Sequence, residues 1–537
     1  MTNIEELFKK HFPYEKPNPG QKEAILRTVE AFQAGKKHVV LGAPTGLGKS
    51  AIAVTVHRIL RDLNNLAFRT TITTATKNLQ DQYTNEFEEM IDLRGKTNYH
   101  CPKNIGPYNS AKCRQAVASQ ECSPSGMCPY YKQRKKWTDQ AVLRITNTSF
   151  QIEACSMLVM TPETRADMIV IDECHNIDEH LVSHSTVKLD VESLQSLKKV
   201  VGINALAGVI DFINEFINVS VGSVIEANDD YSLRANSIAD HFEGLMESLT
   251  IKLKTASGGK DAIAGAIEEM QQIADKLRQF SKTHGEWILT EYKYAHMVEL
   301  RPVYAHQVSE FGLFRKSDRF IHMSATICGH EAYIKSLGIA RKDCEFIDLA
   351  NPIPLAHRLV RPLSAIKVSG DFDRLRLAEL VDKIIQRHDG QNGIIHTVSF
   401  ALAQDIIKHS KNKRKMLVSN NRDEIIKVLS KHKSGAIVLS PSIEQGYDFP
   451  GEMSRFQIIA KVPYLSLGDP YVKLNMDRHP EWYARKAILR LVQAAGRSVR
   501  GVNDFASTYI IDSNFDMLMR RNKDLFPEWF LDSLVTK

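Results

Sequence analysis

The run Gly42-Ala43-Pro44-Thr45-Gly46-Leu47-Gly48-Lys49, with Ser50 after it, satisfies the phosphate-binding pattern G-x-x-x-x-G-K-[ST] and follows the apolar stretch His38-Val39-Val40-Leu41. Gly46 and Gly48 let backbone N–H groups close around phosphate oxygens. Lys49 can reach the outer phosphates, and Ser50 stands where a helix start would hold Mg2+. Phosphoryl transfer needs little covalent help from a protein; it needs a metal, a positioned nucleophile and cations on the developing charge. The segment Met168-Ile169-Val170-Ile171-Asp172-Glu173-Cys174-His175 reads as an apolar strand ending in two acids, Asp172 for Mg2+ and Glu173 to activate water. Cations come much later, in Gln493-Ala494-Ala495-Gly496-Arg497-Ser498-Val499-Arg500, where Arg497 and Arg500 stand three apart on an expected helix and so face one way. These segments predict binding and hydrolysis of a nucleoside triphosphate with Mg2+.

Four of the eight cysteines, Cys101, Cys113, Cys122 and Cys128, fall between the first two motifs among prolines and glycines. Four thiols are the donor set of a tetrahedral zinc or of a [4Fe-4S] cluster, and spacing without tight C-x2-C pairs leaves both open. Cys155, Cys328 and Cys344 are isolated and read as small core residues, while Cys174 should pack behind the nucleotide, oxidisable only if its thiolate were exposed. Residues 101–136 hold seven Lys or Arg against one Glu, so nearly all of the chain's net charge of +7 gathers there. Within it, Tyr130-Tyr131-Lys132-Gln133-Arg134-Lys135-Lys136-Trp137 interleaves rings with cations. Tyr131, Lys132, Arg134, Lys135 and Lys136 are thus candidates for a phosphate backbone and unpaired bases, in DNA or RNA alike.

Taken in order, the phosphate loop, the Asp172-Glu173-Cys174-His175 box, Met323-Ser324-Ala325-Thr326 and residues 493–500 resemble a superfamily 2 helicase. Thr73-Thr74-Ala75-Thr76-Lys77-Asn78-Leu79-Gln80-Asp81-Gln82 is similar to that family's strand-contacting motif, which gives Thr76 and Lys77 to nucleic acid. Residues 440–451, with Gly446 and Asp448, resemble a motif of the XPD/DinG group of iron-sulfur helicases, and the resemblance runs over essentially the whole chain. It implies that Cys101, Cys113, Cys122 and Cys128 hold a [4Fe-4S] cluster, and that His175 and Gln493 couple two domains across the ATP cleft. It further implies that Gly446 and Asp448 serve the nucleotide, and that movement on single-stranded or forked DNA runs 5'-to-3'. The group's nucleotide-sensing element carries Arg three residues before a Gln; here Asn18 takes that place, with Gln21 left to read the adenine edge.

Those residues must be carried by an α/β fold: two RecA-like parallel-sheet motor domains with an inserted iron-sulfur module and a helical arch. The expected parts are residues 1–94 (motor domain 1), 95–140 (cysteine module), 141–185 (motor domain 1), 186–288 (arch), 289–350 (end of motor domain 1) and 351–537 (motor domain 2). In the arch, Ile263, Ile267, Met270, Ile273, Leu277 and Phe280 recur at helical spacing, between breaks at Asn228-Asp229-Asp230 and Ser257-Gly258-Gly259. The first motor domain is expected to resume at Gly285-Glu286-Trp287-Ile288-Leu289. Buried strands of the second are read in Gly393-Ile394-Ile395-His396, Gly435-Ala436-Ile437-Val438-Leu439 and Ser507-Thr508-Tyr509-Ile510-Ile511.

At 537 residues, 43% hydrophobic and 25% charged, the chain can bury several cores. No stretch approaches the length of a membrane span and the N-terminus is acidic, so a cytoplasmic monomer is expected, without a disulfide framework. Three other readings share these motifs. A translocase would strip proteins without unwinding, a zinc-bearing adaptor would use ATP as a clamp, and an RNA helicase would prefer RNA.

Overall fold

The computed structural model describes residues 3–101, 128–156, 165–217, 220–226, 229–256, 258–292, 297–431, 435–441 and 449–535. Two parallel sheets organise the chain. The first runs Cys344–Asp348, His38–Gly42, Phe320–Ser324, Met168–Asp172, Thr70–Thr74, Leu143–Asn147, Ile91–Leu93 in spatial order, every pair parallel. Strands covered on both faces need continuous apolar sequence, and Val39, Val40, Leu41, Ile169 and Val170 are fully buried. The strand Thr70–Thr74 meets the same demand with threonines because its hydroxyls are bonded: Thr70 to His57 Nδ1 at 2.8 Å, Thr71 from Arg144 Nε at 2.7 Å, Thr73 to the Val170 carbonyl at 3.3 Å.

The second sheet runs Val360–Ile366, Ser507–Asp512, Phe456–Ile459, Gly393–His396, Ile437–Ser440, Met416–Val418, again all parallel. The strands of both sheets alternate with helices, the arrangement of two RecA-like α/β motor domains. The helix Pro480–Ala495 packs on the second sheet through Ile488, Leu491 and Val492 and turns its other side toward the first domain.

Between the strands Met168–Asp172 and Phe320–Ser324 of the first sheet, the helices Val191–Val201, Ala207–Ile217, Asp229–Thr255 and Lys260–Lys282 form a helical insertion. Its stripe from Ile263 to Phe280 is core, packed with Phe212, Phe242 and Trp287. The region 285–302 departs from expectation. Glu286–Tyr292 and Met297–Pro302 do not join the motor sheet; they pair antiparallel with each other and are flanked by Val187–Asp190 and Val224–Glu226. Trp287 and Leu289 point into the helices of the insertion, so the residues read as a returning motor strand serve as its floor. This floor also touches the second motor domain, through Arg301–Asp469 at 3.1 Å and Arg478–Glu286 at 2.6 Å.

Candidate nucleotide cleft and nucleic-acid face

The phosphate loop joins the strand His38–Gly42 to the helix Lys49–Leu63, with Gly46 at φ 81° and Gly48 at φ 76°. Both values lie in the left-handed region, which glycine enters without steric cost. No side chain caps this helix, so its first N–H groups and the positive end of its dipole face the loop's hollow, an anion site. Gln21 is buried beneath. Its Nε2 donates to the carbonyls of Leu47 (2.7 Å) and Gly48 (3.1 Å), and its Oε1 accepts from the Asn18 N–H at 2.6 Å. The amide assigned to adenine is therefore spent on holding the loop, with Asn18 as its partner.

Asp172 ends the neighbouring strand but one, and its carboxylate is buried, accepting from the Tyr83 hydroxyl at 3.1 Å and from the Glu173 N–H at 3.0 Å. Burial and the adjoining Glu173 charge push its pKa up to about 6. A buried carboxylate held by a hydroxyl and an amide has, together with the Ser50 hydroxyl at the start of the helix Lys49–Leu63, the hard oxygen chemistry that fits Mg2+. Ser50 Oγ meanwhile donates to Glu86 (3.2 Å), which also accepts from Tyr14. Glu173 has φ 56°, rare for any residue with a Cβ. Burial alone would raise its carboxyl, but Lys49, 3.6 Å away, together with His175 and Arg497, holds it well below the usual range. It is a charged base at neutral pH.

His175 joins three motifs. Its Nδ1 lies 2.8 Å from Ser324 Oγ and 3.3 Å from Glu173 Oε2, while its Nε2 is hydrogen-bonded by the side-chain amide of Gln493 from the second domain. Arg497 and Arg500 do not lie on the helix as expected. Pro480–Ala495 ends at Gly496, and both arginines occupy the turn beyond, fixed by Ser498 Oγ on Ser454 Oγ (2.8 Å) and by Arg500 N–H on Asp504 (3.3 Å). The helical run already breaks at Gly496 (φ −82°, ψ 2°), and buried Ser498 anchors the turn beyond it. The turn still serves the cleft. A Cβ built on Gly46 would lie 3.1 Å from the Arg500 carbonyl, and the Arg500 guanidinium, pushed down to about 10 by burial, feels the Glu173 charge.

Thr76 caps the helix Lys77–Glu86, accepting from the Leu79 N–H, and Thr76 and Lys77 are exposed at the carboxyl edge of the first sheet. The helix Pro129–Lys135 and the turn after it carry exposed Lys132, Lys135 and Lys136 and half-buried Tyr131 and Arg134. Tyr130 and Trp137 are not stacking platforms: both are buried, and Trp137 donates to the Ile145 carbonyl under Arg144, whose guanidinium lies 4.0 Å from its ring. Cys101 and Cys128 share a small apolar cluster with Tyr99, Tyr130 and Trp137. Cys113 and Cys122, like Gly446 and Asp448, lie outside the described residues, and among those described no group of three or more metal-binding side chains occurs. Cys174 and Cys328 are buried and burial pushes each thiol up to about 12, which removes Cys174 as an oxidation sensor; the Cys155 side chain lies outside those described. No described helix is long and apolar enough to cross a membrane.

The residues missed by sequence reasoning are Tyr83 and Glu86, one helical turn apart, which hold Asp172 and Ser50. No motif marks them; they could have been found only by noting that the candidate strand-contacting segment continues as a helix.

Comparison with known proteins accords with this geometry. Residues 383–533 match a family model described as helicase C-terminal domain, and residues 15–206 one described as type III restriction enzyme, res subunit. A protein named ATP-dependent DNA helicase YoaA, from Haemophilus influenzae, is 20% identical, over 97% of this chain and 93% of its own. The XPD helicase subunit of general transcription and DNA repair factor IIH from Dictyostelium discoideum is 26% identical, over 18% of this chain and 14% of its own. Among solved structures, one named XPD_Helicase superposes with a TM-score of 0.60 at 16% identity, covering 95% of this chain and 99% of that one. S. tokodaii Xpd4 gives a TM-score of 0.56 at 15% identity, covering 96% and 99%. The fold is that of two RecA-like parallel-sheet domains, the second of which matches the helicase C-terminal model. Over most of its length the chain is similar to proteins of the XPD/DinG kind.

Proposed function

We propose that the protein is an ATP-dependent DNA helicase that moves 5'-to-3' on single-stranded DNA and separates forked duplexes, acting as a monomer in the cytoplasm. The observation that carries the reading is the line Ser324, His175, Gln493, which ties the strand-end acids of one motor domain to the arginine turn of the other. In this reading the loop N–H groups and Lys49 bind the phosphates, and Glu173 orients and deprotonates the attacking water. Arg497 and Arg500 enter on closure to offset charge on the transferring group. Mg2+, held by Ser50 and Asp172, would neutralise the phosphate oxygens. His175 passes the state of the acids to Gln493 and hence to the second domain, whose edge moves relative to Thr76 and Lys77 with each turnover. Gly446 and Asp448 would complete the nucleotide side of the second domain.

The thiols of Cys101 and Cys128, which share one apolar cluster, would with Cys113 and Cys122 supply the donor set of a [4Fe-4S] cluster. The basic helix beside it, with Tyr131, Lys132, Arg134, Lys135 and Lys136, would track the strand. The test is strand displacement by anaerobically purified protein with ATP and Mg2+, on duplexes bearing a 5' or a 3' tail, with Lys49→Ala as control. Release from the 5'-tailed duplex alone is expected. Release from the 3'-tailed duplex would overturn the polarity, and DNA-stimulated ATPase without release would replace helicase by translocase.

A further inference from the structure

The helix Pro480–Ala495 carries Gln493 at its end and leads into the arginine turn, yet its firmest contacts with the first motor domain lie two turns earlier, about 10 Å along its axis. There Lys486, 1% exposed, donates to Asp178 at 2.9 Å and to Glu179 at 2.9 Å, both on the helix Ile177–Ser185 that follows the acidic box. Beside it Arg485, also 1% exposed, donates from Nε to the Cys328 carbonyl at 2.8 Å, with its guanidinium 3.8 Å from Asp178 and above the Tyr333 ring. Two cations of one domain are thus buried against an acid pair and a carbonyl of the other. An isolated lysine is almost never buried, because removing its charge from water is costly unless a partner answers it.

The geometry points to Asp178, Glu179, Arg485 and Lys486 as an ionic pivot between the motor domains, positioning residues that fix where the helix Pro480–Ala495 meets the first domain so that Gln493, Arg497 and Arg500 arrive in register with the cleft. This rests on the reading of the cleft as an ATP-driven motor. Parting at the pivot would break the contacts of two cations, each 1% exposed, all at once, whereas Gln493 and His175 share a single side-chain hydrogen bond. The domains therefore rotate about the pivot and open at the arginine end.

The experiment uses the full chain with dyes on the two motor domains. It measures ATP kcat and KM and the interdomain distance with a non-hydrolysable ATP analogue, for wild type, Lys486→Met, Asp178→Asn and the double variant. The pivot predicts that Lys486→Met raises KM at least tenfold while kcat at saturating ATP stays within about threefold, that the analogue no longer closes the domains at wild-type concentrations, and that adding Asp178→Asn recovers most of the loss. A role in folding alone would lower the melting temperature and leave KM and closure unchanged in the folded fraction, which overturns the pivot. A double variant as impaired as the single also overturns it. Should Lys486→Met not fold, Lys486→Arg, which keeps the charge with a different reach, carries the test: a KM between wild type and tenfold supports the pivot and an unchanged KM refutes it. Wild-type protein without ATP turnover would instead sink the motor reading itself.

Discussion

Replacing Gln493 by Ala removes the amide that His175 Nε2 meets across the cleft and little else, since Gln493 sits at the last turn of its helix and is only half-buried. His175 is 6% exposed and its Nδ1 is already committed to Ser324 and Glu173, so in the closed state the variant leaves Nε2 unsatisfied. An orphaned buried polar atom costs about 1–3 kcal/mol, and that cost falls on the closed state alone because the open cleft admits water. The closed fraction should fall by about 5- to 150-fold, and kcat/KM for ATP with it, as one kcal/mol is about a factor of five. Steady-state ATPase with single-stranded DNA measures this directly, with nucleotide affinity in the absence of Mg2+ as a control that should change little. A change below twofold in kcat/KM would refute the view that this contact reports closure. A Gln493→Asn variant sharpens the test, because it keeps an amide donor on a shorter side chain and should retain more activity than Ala.

Three further outcomes are expected. Glu173→Gln should keep ATP binding while lowering kcat at least about 100-fold, as for loss of a general base; unimpaired single-turnover hydrolysis would remove Glu173 from that role. Because Asp172 is raised to about 6, protons should compete with Mg2+ as the pH falls through that value: the acid limb of ATPase should lie near 6 at low Mg2+ and move to lower pH as Mg2+ rises, and a limb indifferent to Mg2+ would contradict the assignment. Cys128→Ser should abolish the brown chromophore and most bound iron together with unwinding; wild-type iron content in the variant would exclude Cys128 as a ligand.

Much of the cleft is legible in the sequence because phosphate and metal chemistry admit few residue types at fixed spacing, so Lys49, Ser50, Asp172 and Glu173 announce themselves and the strands before them follow from apolar runs. The meeting of His175 and Gln493 is legible only through motif order, since 317 intervening residues carry no signal of it. Other features are hidden for physical reasons. Arg497 and Arg500 keep a helical spacing past the end of their helix because spacing does not register the stop at Gly496. Tyr130 and Trp137 look like base-stacking rings because an aromatic among cations is the same string whether it faces solvent or core. The strands Val187–Asp190 and Val224–Glu226 are too short for a clear alternation, which is why their antiparallel partners were given to the motor sheet. Nothing in the sequence marks Lys486 beside Arg485, because charge in a sequence does not say whether a partner answers it.

The left-handed backbone at Glu173 has a consequence for how this position can change. Successive residues of a strand point to opposite faces, so Asp172 and its neighbour could not both address one cleft if the strand simply continued. The turn at φ 56° redirects the second carboxylate, and a side chain with a Cβ carries about 1–2 kcal/mol of strain in that conformation. Glu173→Gly, or Glu173→Asn, should relieve that strain but leave Lys49 without the carboxylate 3.6 Å from it, in a protein that no longer turns over. Strain of this kind persists only where the surrounding structure over-determines it, so position 173 is the point at which the fold gives up local comfort to aim a second carboxylate into the cleft.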